Sequence, residues 1–154
     1  MQKRMFISVL GSITLTLGAA SSRLFAQADS DTVKLATALA EVVAEEATGP
    51  GDHHGPFVLK GPLGSRWPRR VATALRSRHP ELVTSSRAHV VHLSIDDVTV
   101  TDSTARILVN WSLCTTRQAG LNSWDHVVTY VFGRSSTGWS FQTTEFGEIA
   151  DGHC

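Results

Sequence analysis

The chain has 154 residues, 42% of them hydrophobic, with 14 Lys and Arg against 14 Asp and Glu and only two cysteines. So even a balance, with Arg and Lys scattered along the chain, offers no electrostatic footprint for nucleic acid. The length allows one ordinary domain with a single core once the first residues are set apart.

Those first residues read as an export leader. Lys3 and Arg4 form a positive head, Met5 to Ala20 form an uncharged and largely apolar run, and Ala26-Gln27-Ala28 offers small residues for cleavage. An uncleaved membrane anchor is the alternative, but the run is 16 residues long and diluted by Ser8, Ser12, Thr14 and Thr16, where about 20 are needed to span a bilayer. The expectation is therefore a signal peptide over residues 1–28 and a single domain over 29–154, secreted or periplasmic, with no membrane attachment after cleavage. The leader holds Lys3, Arg4 and Arg23 and no acid, so the mature domain keeps 11 basic against 14 acidic residues.

From Asp31 the pattern is helical. Val33, Leu35, Ala36, Leu39, Val42 and Val43 fall largely on one face, Asp29, Ser30 or Asp31 supplies a cap, and Gly49-Pro50 ends the helix. Glu41, Glu45 and Glu46 are expected on the solvated side. The stretch "GPGDHHGPFVLKGPLGSRWPRR" is rich in Gly and Pro, with Phe57 to Lys60 able to form one short strand. Ser65 and Pro68 then start a second helix over residues 67–78, with Trp67, Val71, Ala74 and Leu75 spaced for burial and its arginines on a solvated face.

After Arg87 the hydrophobic period changes to two. His89, Val91, Leu93 and Ile95 share a side until Asp96-Asp97 breaks the phase as a bulge would. Ala105, Ile107, Val109, Trp111 and Leu113 alternate next, then Trp124, His126, Val128, Tyr130 and Phe132, then Trp139, Phe141 and Thr143. The short polar links "TDST", "RQAGLNS" and "SSTG" favour an antiparallel meander. The expected fold is α+β: two N-terminal helices packed on a curved antiparallel sheet of four to five strands. Curling would leave an apolar mouth able to take a small ligand.

This order of a helix pair, "VTVTDSTARILVNWSLC", "HVVTYVFGRSSTGWSF" with its Gly138-Trp139 hairpin, and a short tail resembles the cystatin-like or nuclear-transport-factor-like α+β cone superfamily over about residues 30–150. The resemblance implies a cone and a choice among isomerases, dehydratases, ligand binders and interaction modules. Catalytic members that resemble ketosteroid isomerase carry an acidic base with phenol donors inside the cone; no such motif is matched here, and no functional residue is carried over.

Four residues are pocket candidates: His89, Trp111, His126 and Tyr130 share the enclosed side. A histidine there could act as general base with Tyr130 as donor, or simply sit at the sheet margin hydrogen-bonded to backbone. In an exported chain, Cys114 and Cys154 most simply form one disulfide closing about 40 residues; the alternative makes Asp151, His153 and Cys154 metal ligands. His53 and His54 in "GDHHG" match no metal-ligand spacing. No metal and no cofactor are expected. Nucleophile elbows, phosphate loops and dinucleotide fingerprints are absent from the sequence. The leading function is an exported non-enzymatic module binding a small apolar ligand or a protein partner, a homodimer being compatible. The alternative is a small isomerase- or dehydratase-type enzyme using a pocket histidine.

Overall fold

The computed structural model describes residues 16–49, 56–85, 91–113 and 124–151. It is α+β: helix α1 (Thr16–Thr48), strand β1 (Phe57–Lys60), helix α2 (Trp67–Arg78), a single 3-10 turn (Pro80–Leu82), then β2 (Val91–Val100), β3 (Thr104–Leu113), β4 (Trp124–Arg134) and β5 (Trp139–Asp151). The five strands form one open sheet in the order β1-β2-β3-β4-β5.

The sheet is mixed, not wholly antiparallel. β2 to β5 run antiparallel in sequence, as their short links require, but β1 pairs with β2 in parallel, Phe57 opposite Val91 and Lys60 opposite Ser94. The reason lies in α2. A helical crossover between two strands returns the chain to the end where it began, and such strands can only run parallel.

α1 begins well before the expected boundary, inside the segment read as leader. No Gly or Pro interrupts Ala19 to Thr48, so nothing local stops the helix there. Its buried stripe is Leu35, Ala36, Leu39, Ala40, Val43, Ala44 and Ala47, a spacing of three and four that stacks along one face. Four alanines lie in that stripe, of which Ala36 was expected there and Ala40, Ala44 and Ala47 were not, while Val33 is half exposed.

The sheet contributes Val91, Leu93 and Ile95 from β2, Ala105, Ile107, Val109 and Trp111 from β3, and Val128, Tyr130 and Phe132 from β4, all buried. The phase break at Asp96 is a register shift between Ile95 and Asp97. β5 departs from the simple alternation. A register shift between Val131 and Phe132 sets Phe141 opposite Phe132 but Thr143 opposite Val131. Facing residues on neighbouring strands share a side, so Thr143 lies on the opposite side from Phe141.

Two glycines shape the connections. The turn after β4 closes with Ser135 N–H donating to the Gly138 carbonyl at 2.8 Å, and Gly138 has φ 147°, a region that side-chain-bearing residues rarely enter. At Gly61, a Cβ would stand 2.6 Å from a Pro68 carbon and 3.0 Å from the Ile95 carbonyl. Only glycine lets the chain leaving β1 pass between α2 and the bulge of β2.

Candidate functional site

The interior between α1 and the sheet contains one chain of polar groups. The Trp111 indole N–H donates to the Tyr130 hydroxyl at 3.0 Å, and that hydroxyl donates to the Glu46 carboxylate. Trp111 and Tyr130 are both fully buried. Their side chains share a face because Trp111 and Ile107 on β3 stand opposite His126 and Tyr130 on β4. Phe57 packs edge-on against Trp111 with centroids 5.6 Å apart.

Glu46 corrects an expectation. It is half-buried and engaged with the core, not solvated with Glu41 and Glu45. The signal was present: residue 46 lies seven after Leu39 and three after Val43, which places it on the apolar stripe of α1. Burial holds its carboxyl above the ordinary value, the Tyr130 hydrogen bond acts against that, and nearby Glu45 adds a smaller push upward. The Tyr130 phenol is pushed far above its usual range, first by burial and then by the charge of Glu46.

The remaining candidates separate. His126 is half-buried, shares the inward side with Trp111, and stacks nearly parallel on Phe146 with centroids 5.6 Å apart. His89, Cys114, Cys154, His53 and His54 lie outside the described residues, as does the side chain of Trp124. Among the described residues no three His, Cys, Asp or Glu side chains are grouped to hold a metal ion, and no helix is long and apolar enough to cross a membrane.

A cavity of about 330 Å³ opens at the opposite end of the core, lined by Asp31, Leu35, Trp67, Val100, Arg134 and Trp139 among others. Arg134 lies over the Trp139 ring, 5.6 Å from its centroid, and donates to Asp31 of α1. That ion pair fastens the β4–β5 turn to α1 and fixes Trp139 as a wall. Trp67 arrives from the first turn of α2, where its N–H donates to the Ser65 hydroxyl at 3.3 Å. The sequence pointed to Trp67 as a core residue and gave no sign that it would meet Trp139, because that meeting depends on helix placement.

Comparison with known proteins found no matching family model, no matching curated protein and no matching solved structure.

Proposed function

We propose that this chain is exported and that its mature domain is a non-enzymatic binding module of the cone type, taking a small apolar ligand in the cavity between Trp67 and Trp139. One observation carries the reading: two tryptophans and Leu35 wall a space of about 330 Å³, within the size of natural ligand pockets. Five of the ten lining residues are polar, Asp31, Thr32, Thr101, Asp102 and Arg134, with Arg134 already committed to Asp31. Such a site binds by apolar contact and ring stacking, with one cation at the rim.

Cleavage after Ala28 fits this geometry. It would make Asp29, Ser30 and Asp31 the first turn of α1, where negative charge offsets the positive end of the helix dipole. Asp29 and Asp31 also hold Arg70 of α2 and Arg134 of β4, so the new end would be tied on two sides.

The site is tested with 1-anilinonaphthalene-8-sulfonate as the probe on purified mature protein. Saturable fluorescence enhancement, lost in Trp139→Ala with circular dichroism unchanged, supports the reading. Enhancement that survives both Trp67→Ala and Trp139→Ala sinks it.

A second reading rests on Glu46. A half-buried carboxyl with a raised proton affinity beside a phenol is an acid–base pair, which moves the enzymatic alternative away from His126. Tyr130 is closed off between Glu46 and Trp111 in the core, and this favours a structural role for the pair. Glu46→Gln separates the two readings: an enzyme loses turnover by roughly 100-fold or more, whereas a binding module keeps its affinity.

A further inference from the structure

A second and larger groove, about 760 Å³, lies between β1, α2 and the residues that follow the 3-10 turn. Its apolar lining is Val58, Leu59, Pro68, Ala72 and Val83, its charged groups are Lys60, Arg69 and Arg76, and no carboxylate lines it. We propose that this groove is a ligand site separate from the tryptophan cavity, taking a small amphiphilic anion: an oxyanion head on a short aliphatic tail.

The head is argued from charge. The arginines of α2 divide by role: Arg70 is paired with Asp29 and Arg78 with Glu41, both across to α1. Arg69 and Arg76 have no carboxylate partner among the described residues. They stand two helical turns apart, about 10 Å along one face, with Ala72 between them on the groove wall. Guanidinium groups carry a planar fork of donors that matches the oxygens of a phosphate or carboxylate. Lys60 joins them from β1, donating to Nδ1 of His92 at 2.9 Å. That hydrogen bond leaves the ammonium's charge uncompensated, because its acceptor is a neutral ring. Three cations with no anion among the lining residues favour a negatively charged ligand.

The tail is argued from the walls. Val58, Leu59, Pro68 and Val83 are only half-buried, so each still has apolar surface to remove from water when a ligand enters. The third wall is fixed to the sheet: Val83 bridges Phe57 in parallel, and the Thr84 N–H donates to the Phe57 carbonyl at 3.1 Å. Those contacts occupy the outer edge of β1 at Phe57, so the ligand meets side chains there and not a free strand edge. The volume lies within the range of natural small-molecule pockets. A tail held by these walls belongs to a free molecule and not to a lipid still in a bilayer.

The test is isothermal titration calorimetry of the mature protein with octyl phosphate, kept at concentrations where it stays monomeric. Saturable binding is expected, weakened about tenfold or more by Arg69→Gln and Arg76→Gln together. Both side chains are exposed, so folding is retained, and an unchanged melting temperature verifies it. Inorganic phosphate should bind at least tenfold more weakly, since burying two methylene groups already contributes that much, and 1-octanol should bind more weakly for want of a charge. Trp139→Ala should leave the affinity for octyl phosphate unchanged. The proposal is overturned by any of four results: no saturable binding, affinity unmoved by the two arginine substitutions, equal affinity for inorganic phosphate or octanol, or binding lost in Trp139→Ala. The last would put the ligand in the tryptophan cavity instead.

Discussion

Replacing Tyr130 by Phe removes one oxygen from the middle of the core and tests how α1 is joined to the sheet. The hydroxyl makes two hydrogen bonds at once, accepting from Trp111 at 3.0 Å and donating to Glu46. A neutral hydrogen bond contributes roughly 0.5–1.5 kcal/mol net and one to a charged group roughly 1.5–3. Glu46 is only half-buried, so water would recover part of the second amount. The expected loss is about 2–3 kcal/mol, a fall in melting temperature on the order of 10 °C for a domain of this size. The assay is thermal and urea unfolding of the mature protein, wild type against Tyr130→Phe, at fixed pH.

A companion variant, Glu46→Gln, keeps an acceptor for Tyr130 and should cost less than Tyr130→Phe. Its value lies in pH. The folded state raises the Glu46 proton affinity above the ordinary 4.5, so between that value and the raised one the native protein binds more protons than the unfolded. Stability from this group is then complete below about pH 4.5 and declines as pH climbs through the raised value. The downward slope should flatten in Glu46→Gln. A melting shift below about 2 °C for Tyr130→Phe, or a slope unchanged in Glu46→Gln, would refute the role given to this polar chain.

Further outcomes follow from other parts of the fold. We expect the oxidised mature protein, unfolded without reductant, to show no titratable thiol. Leu113 stands opposite Trp124 and Trp124 opposite Asp151, so β3 and β5 leave the sheet at one end, about 10 Å apart. The three residues beyond Asp151 have the reach to bring Cys154 to Cys114, and two free thiols would contradict the bridge. Its loss should cost about 4 kcal/mol, read by unfolding with and without reductant. Gly138→Ala should destabilise by about 1–2 kcal/mol, because φ 147° strains any side chain; an unchanged melting temperature would refute this. His92 should oppose stability at acid pH. Burial and Lys60 depress its proton affinity below 6.5, so stability is lost as pH falls below that value, and His92→Gln should reduce the loss in unfolding measured from pH 7 to 5.

Much of the fold was readable because the pattern of burial follows local period. The boundaries of α2, the short β1, the bulge at Asp96 and the inward residues Ala105 to Trp111 of β3 and Val128 to Phe132 of β4 match the expected residues. Three things were not readable, each for a physical reason. The parallel pairing of β1 depends on where α2 returns the chain, which no local pattern encodes. The shift that turns Thr143 away from Phe141 is a one-residue slip in a strand whose both faces are partly exposed, where alternation constrains register weakly. Glu46 was misplaced because its charge outweighed its helical position, although that position pointed inward.

For the site, Trp111 and Tyr130 do belong to one interior group, but they join Glu46 and close the core. His126 lies against Phe146 instead. Trp67 and Trp139 are 72 positions apart in the chain, and their meeting around a cavity is a product of tertiary packing alone.

Native mass spectrometry of the protein purified from the cells that make it, including the compartment that the proposed export would reach, tests the proposed ligand directly. The account predicts a mass beginning at Asp29, an added small apolar molecule, and loss of that molecule in Trp139→Ala. A bare mass, together with a catalytic turnover abolished by Glu46→Gln, would contradict it.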